Sequence, residues 1–392
     1  MAKRTQAPQI KRRHSRRRFL PLSVPTIGKE EISEVVKTLH SGWLTTGPKT
    51  QRFERLFARY IGVKHAVALN SCSAGLHLAL LAHRIGPGDE VVLPSFTFAS
   101  TANMVVNVGA IPVFADITKD TFTIDPVDVE EKLTRKTRAV LVVHYGGHPA
   151  DLNKIQRIAR KHHLVVIEDA AHAVGSEYHG KKIGSSGNTT CFSFYATKIL
   201  TTGEGGMLTT NDDRVADFVY INRLHGISKD AWKRYAKGGS WRYEVKYAGW
   251  KYNMTDLQAA LGLHQLRKLN HFLRIRKRYA SLYDKQLGRL EHIRIPLQIP
   301  RTKHAYHLYP ILLESFSRDH FINLLAEKNI GTSVHFIPLH LQPFYRKTFG
   351  YRKGDLPITE AVAEKIVSLP LYPRMTLDDI NYVIASIQEI LE

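Results

Sequence analysis

Two cysteines in 392 residues, Cys72 and Cys191, lie far apart and share no CxxC spacing. A disulfide framework is excluded, which suits a reducing compartment, and a cytoplasmic location is expected. Metal-ligand spacings are missing as well. There are twenty histidines but no HExxH and no Cys/His pattern, and His144 and His148 flank Tyr145-Gly146-Gly147, which is poor helix sequence. No metal site is expected. Unbroken apolar runs are also lacking. The uncharged run Val91–Ala115 is long enough to span a bilayer, yet it holds Pro94, Asn103, Asn107, Gly109 and Pro112. Strand–loop–helix–strand is the expectation there, and no membrane span. Ser15-Arg16-Arg17-Arg18-Phe19-Leu20 resembles a twin-arginine export motif, but the apolar run such a signal needs is absent from PLSVPTIGKEEISE.

Acid is missing from residues 1–18, which carry eight Lys/Arg. Residues 1–20 read as a basic, disordered extension. The net charge of +21 exceeds what that extension supplies, so the body is basic too and favours anionic partners. With 43% hydrophobic and 23% charged residues the chain is a soluble globular protein, long enough for two domains.

From about residue 60 to 210, β-branched runs alternate with helix-like stretches: HAVALN (65–70), SCSAGLHLALLAHRIG, EVVLP (90–94), a helix over Thr101–Val108, IPVFADI (111–117), RAVLVVHY (138–145), a helix over Asp151–Lys161, LVVIEDA (164–170) and CFSFYA (191–196). That alternation implies an α/β fold with a mainly parallel sheet, which places ligands at the carboxyl ends of its strands. The polar, aromatic stretch 225–244 reads as a long functional loop. Asp256–Leu290 reads as a long helix, with Leu257, Leu261, Leu266, Leu269, Leu273 and Tyr279 turned inward. Beyond it, IRIPLQIP, HLYPILL and TSVHFIPL with helices at 318–329 and 376–391 make a smaller α+β domain. The division expected is an extension over 1–20, a large domain over 21–270 and a small C-terminal domain over 271–392.

Three strand ends carry chemistry. Asn70-Ser71-Cys72-Ser73-Ala74-Gly75 joins a strand to a helix, where free N–H groups and a serine hydroxyl make an anion cradle. Glu168-Asp169 ends an apolar strand, where a carboxylate must be paired or solvated, and His172 follows three residues on, close enough to share a turn with Asp169. Lys198 follows CFSFYA, where burial would free its amine as a nucleophile. Taken singly, these could be an N-cap serine, a helix-capping acid and a snorkelling lysine. Together and in this order they are the parts that pyridoxal phosphate needs.

The chain resembles the DegT/StrS family of pyridoxal-phosphate-dependent nucleotide-sugar aminotransferases over residues 21–392. The resemblance is carried by SGWLTTGPKTQRFE (41–54), NSCSAGLHLALLA (70–82), PGDEVVLPSFTFAST (87–101), IEDAAHAVGSEYHGKKIGS (167–185), FSFYATKILTTGEGGML (192–208), GWKYNMTDLQAA (249–260) and TSVHFIPLHLQP (332–343). It implies a fold-type I transferase with a seven-stranded-type sheet, and pyridoxal 5'-phosphate as cofactor. Position by position, Lys198 matches the Schiff-base lysine, Asp169 the partner of the pyridine nitrogen, and His172 the residue near the phenolic oxygen. Ser73, Ala74 and Ser193 match phosphate positions. Phe98 stacks on the ring, with Phe96 the alternative. The resemblance implies a homodimer with shared sites, in which Asn253, or Lys251 in its place, reaches the partner's phosphate. Cys72 departs from the family, where Gly is frequent.

By resemblance the donor is glutamate and the acceptor a nucleotide-diphosphate-linked keto-sugar, aminated at the 4-position of a UDP-sugar, for surface polysaccharide, lipid A or deoxyaminosugar biosynthesis. Thr45, His225, other basic residues of 223–251 and His335 are the substrate candidates. Amination of a dTDP-3-keto-sugar is the alternative. A dehydratase of the same fold would carry histidine at Lys198, and a regulatory homologue would not need Lys198 and Asp169. The arginine-rich tail lacks interleaved aromatics, so no specific nucleic-acid role is expected. Gly203, Gly205 and Gly206 read as room for backbone to approach a substrate or a partner subunit.

Overall fold

The computed structural model describes residues 18–227 and 243–392. Residues 1–17 of the expected extension and 228–242 of the expected loop lie outside the described residues.

The larger part is built on β1 (His65–Leu69), β2 (Glu90–Pro94), β3 (Ile111–Ala115), β4 (Thr137–Val143), β5 (Val165–Asp169), β8 (Thr189–Ser193) and β9 (Gly206–Thr210), with a small hairpin of β6 (Glu177–Tyr178) and β7 (Lys181–Lys182) between. The seven-stranded sheet has the order β1-β9-β8-β5-β4-β2-β3. Only β9 runs against the others, pairing antiparallel with β1 and β8. The carboxyl ends of β1, β2, β4, β5 and β8 therefore share one edge. The middles of the central strands are apolar because both faces are covered: in β4, Val140 and Val142 enter one core while Ala139, Leu141 and Val143 enter the other.

Helices α1 (Lys29–His40), α2 (Pro48–Ile61), α3 (Cys72–Ala82), α4 (Ala99–Asn107), α5 (Pro126–Glu131), α6 (Leu152–Lys161) and α7 (Asp213–Asn222) surround the sheet. Val91–Ala115, the uncharged run, resolves into β2, α4 and β3. Among the described residues no helix is long and apolar enough to cross a membrane.

Helix α8 (Asp256–Leu287) starts at a capping box, in which Thr255 accepts from the Gln258 N–H and Gln258 accepts in return. It packs on α1 and α2. Residue 270 lies near its middle. Leu269, Leu273 and Tyr279 are buried, whereas Leu257, Leu261 and Leu266 are half-buried and Ala259, Ala260, Leu263 and Phe272 take the inward positions. The apolar pattern assumed one inward face, but α8 packs against α1 and α2 and also the C-terminal helix over Leu377–Leu391, so the buried face shifts along it.

The remainder holds β10 (Ile293–Arg294), β11 (Thr302–Lys303), β12 (Tyr309–Leu313) and β13 (Ile366–Leu369), with α9 (Arg318–Glu327), α10 (Pro343–Phe349), α11 (Pro357–Lys365) and α12 (Leu377–Leu391). Strands β10, β12 and β13 form one small sheet, while β11 crosses to pair with β6. Leu339, Tyr345 and Leu356 also pack into the large core. Residues beyond 290 thus reach back over the strand ends and roof the space above them. From the other terminus, Leu20 is buried in the small core and bridges Ile330.

Candidate active site

The space at the strand ends is a cavity of about 670 Å³. Ser73, Phe98, Asp169, His172, Ser193, Lys198 and His335 line it, residues separated by more than two hundred and sixty positions in the chain. One wall comes from the ends of β1, β5 and β8, and the other from residues 333–336 and His307.

Strand alternation separates Glu168 from Asp169. The fully buried Glu168 accepts from His144 Nε2 at 2.8 Å, from Asn188 Nδ2 at 2.7 Å and from the Ser186 hydroxyl. His144 Nδ1 accepts the Ala150 N–H at 3.1 Å, so the proton sits on Nε2 and points at the carboxylate. Asp169 faces the cavity. Its Oδ1 accepts the Ala171 N–H at 3.0 Å and lies 3.9 Å from the Cys72 thiol, and its Oδ2 accepts from Thr101 Oγ1 at 2.8 Å. Burial raises the Asp169 pKa, while the Ala171 N–H, Thr101 and the Lys198 charge oppose the rise.

No helix follows β5. Residues 171–175 form turns, so His172 stands beside Asp169 on a turn instead of a helix. Its Nδ1 accepts the Gly146 N–H at 3.2 Å. Burial, with help from Lys198, pushes its pKa well below the usual value, so the imidazole is neutral and carries its proton on Nε2. The ring stacks on Phe336 at 5.9 Å and lies 4.4 Å from His307.

Strand β8 stops at Ser193, three residues short of the expected Ala196. Phe194 closes the following loop instead, donating its N–H to Gly205 O and accepting at its carbonyl from the Thr202 N–H. Lys198 sits in that loop, half-buried on the cavity wall. Desolvation lowers its amine to about 8, against the opposing pull of Asp169. Ser193 Oγ accepts the Tyr195 N–H at 3.4 Å.

Helix α3 begins where β1 ends. Ser71 caps it by accepting the Ala74 N–H at 3.1 Å. Ala74, expected at the phosphate, is thus engaged by its own cap and lies buried behind the cavity surface. Cys72 and Ser73 precede the first intrahelical bond, and both line the cavity. Of the two phenylalanines, Phe98 is 64% exposed on the cavity wall, while Phe96 is 1% exposed in the core against Tyr145.

Thr45, His225, Lys251 and Asn253 are not on the wall of this cavity. Thr45, His225 and Lys251 are exposed, and Asn253 is buried with its Nδ2 donating to Thr46 Oγ1 at 2.6 Å. Lys251 and Asn253 neighbour the site at the end of β1, where Asn70 Nδ2 donates to Lys251 O at 3.2 Å and Leu69 bridges Asn253. The pattern overlooked Thr97, Thr101, Tyr195, His307 and Phe336. The repeats of threonine and phenylalanine in SFTFAST, and the second histidine of HAYHLYP, were the available signals. Gly205 lines the cavity, but Gly206 has a different reason from the expected one. A Cβ on Gly206 would lie 2.4–2.6 Å from the backbone of Ser71 and Cys72, so the neighbour is this chain's own α3.

Known proteins resemble the whole chain. The spore coat polysaccharide biosynthesis protein SpsC of Bacillus subtilis is 50% identical over 382 residues, spanning 96% of this chain and 98% of its own. A putative sugar aminotransferase, Spr1654 of Streptococcus pneumoniae, solved in PMP, PLP and apo forms, superposes in its PMP form with a TM-score of 0.89 at 34% identity, over 95% of this chain and 97% of that one. Helicobacter pylori PseC, an aminotransferase involved in the biosynthesis of pseudoaminic acid, gives 0.89 at 29% identity over 96% and 99%. With residues 25–388 matched by the family's sequence profile, the chain belongs to the DegT/DnrJ/EryC1/StrS aminotransferase family, whose cofactor is pyridoxal 5'-phosphate.

Proposed function

We propose that the protein is a pyridoxal-phosphate-dependent sugar aminotransferase that moves an amino group from glutamate to the 4-keto carbon of a UDP-linked sugar. The observation that carries this reading is the meeting of the Lys198 amine, lowered to about 8, and the Asp169 carboxylate on one cavity. The donor set fits the cofactor: an anion cradle at α3, a carboxylate backed by three protein donors, an amine and an exposed aromatic ring. Bound there, the cofactor supplies an aldehyde and an electron-accepting ring.

The chain does the rest. Ser73, Ser193 and the first N–H groups of α3 take the phosphate. Asp169 would pair with the protonated ring nitrogen, whose charge would offset the cost of the buried carboxylate. His172, with its proton on Nε2, would donate to the cofactor's phenolic oxygen, and the Phe98 ring would stack on the cofactor's ring. The Lys198 Nζ, close to half deprotonated near pH 8, would serve as the nucleophile toward the cofactor's aldehyde, with water as the leaving group, and could take and return the proton at the substrate carbon. His335, on the opposite wall, is held by Ser368 at 2.9 Å and is neutral, lowered to about 4 by burial, so it contacts the sugar as a hydrogen-bonding group.

Asn253, Lys251, Thr45 and His225 stand off their own cavity, which supports a homodimer in which a second copy supplies them. The basic surplus suits a nucleotide diphosphate. The named roles of SpsC and PseC in polysaccharide and pseudoaminic acid biosynthesis support a sugar acceptor. The test is a panel of nucleotide-linked 3- and 4-keto sugars with glutamate. The expected result is an aminated UDP-4-keto sugar with stoichiometric 2-oxoglutarate, and amination without glutamate, or of none of the panel, contradicts the proposal.

A further inference from the structure

Thr101 is fully buried in the first turn of α4, and its hydroxyl does something unusual for a helical threonine. Such hydroxyls commonly bond the carbonyl one turn back. Here Thr101 Oγ1 makes two side-chain contacts, 2.8 Å to Asp169 Oδ2 and 2.9 Å to Thr97 Oγ1. A hydroxyl has one proton. With the carboxylate ionised that proton is spent on Asp169, so Thr97 must be the donor to Thr101, and the order runs Thr97 to Thr101 to Asp169. The other oxygen of Asp169 is already occupied by the Ala171 N–H and faces the Cys72 thiol.

The same residue also holds the ring. Thr101 donates its backbone N–H to Phe98 O at 3.1 Å, and Phe98 follows Thr97 directly. Thr97 and Phe98 line the cavity, as does Asp169. Five consecutive residues, Thr97-Phe98-Ala99-Ser100-Thr101, therefore tie the aromatic lid to the carboxylate across the space that a planar cofactor occupies. We infer that Thr97 and Thr101 form a one-way hydroxyl relay that positions Asp169 and Phe98 as a unit and holds Asp169 as an acceptor toward a protonated ring nitrogen. They are positioning residues and touch the reaction only through Asp169 and Phe98. The titratable groups around Asp169 are Cys72 at the start of α3, Cys191 beside it in β8, His144 beyond β4 and Lys198 beyond β8. None of them replaces the donor that Oδ2 receives from Thr101.

The inference rests on the proposed use of pyridoxal phosphate, and its test separates the two. Apoprotein is titrated with pyridoxal phosphate by intrinsic fluorescence, and the visible band of the loaded protein is titrated with pH, for wild type, Thr101→Val, Thr101→Ser and Thr97→Val. Valine keeps the shape and removes the donor to an ionised acceptor, so Thr101→Val weakens cofactor binding about tenfold or more and moves the midpoint of the spectral titration. Serine restores the donor and stays within about threefold of wild type, while Thr97→Val falls between. Wild-type values in Thr101→Val, or a Thr101→Ser as impaired as Thr101→Val, overturn the relay and leave the cofactor reading standing. Should Thr101→Val fail to fold, an unchanged affinity and midpoint in Thr97→Val overturns it. A wild type that binds no cofactor overturns both.

Discussion

Lys198 is costly for the fold to place where it is. A lysine amine ordinarily titrates near 10.4, and the cavity lowers this one to about 8. The sign matters for activity. Above pH 8 the amine is mostly neutral and nucleophilic, and below it the proton blocks attack. The rate at which apoprotein captures pyridoxal phosphate should therefore rise with pH and level off above about 8, as followed by the visible band in stopped flow. A rate still climbing tenfold per pH unit at pH 9.5 is the behaviour of an ordinary lysine and contradicts the assignment. Lys198 and Asp169 stood out in the sequence only in combination, because each alone has a bland reading and it is their order with Ser73 at successive strand ends that points to one cofactor. Thr101 was not legible. A threonine in an apolar helix has many bland readings, and only the distance to Asp169 singles it out.

At the scale of elements, the strand-to-helix joint of β1 and α3 depends on how closely β9 can approach it. Gly206 sits where any Cβ would strike the backbone of Ser71 and Cys72. Gly206→Ala should push the start of α3 out of position. The expected outcome is a loss of about 1–3 kcal/mol in urea unfolding, with weakened cofactor binding. A variant of wild-type stability and affinity would show that the joint tolerates displacement. The sequence displayed the glycines and the strand alternation, and both β2–α4–β3 and the β5 terminus follow from it. The end of β8 did not follow, because CFSFYA stays apolar beyond Ser193. Phe194 is buried in the core while its N–H pairs with Gly205 across a closed loop, so burial continues where strand pairing stops.

Across the whole molecule, the two ends of the chain and the loop that carries Lys198 are joined by one short segment. The Leu20 N–H donates to Asn329 O and its carbonyl accepts from Gly331 N, both at 2.8 Å. Leu22 O accepts from Leu371 N, and the Ser23 hydroxyl donates to Thr197 O, next to Lys198. Composition could only mark residues 1–20 as basic. Leu20 belongs to the folded body because a single leucine finds its partner more than three hundred residues later, a contact that no local pattern reveals. Removing residues 1–17 should leave the melting transition and activity unchanged. Removing residues 1–24 should cost about 2–3 kcal/mol from Leu20 alone and slow catalysis through the Lys198 loop. Thermal melts and rates that are equal for the two truncations would contradict that linkage.

The central claim is that Lys198 carries the cofactor. The direct measurement is to incubate the purified protein with pyridoxal phosphate, reduce it with borohydride, digest it and map the labelled peptide by mass spectrometry, with Lys198→Ala in parallel. The account predicts one pyridoxyl group per chain, on Lys198 within CFSFYATKILTTGEGGM, and none in the variant. A label on another lysine, or equal labelling of wild type and variant, would contradict it.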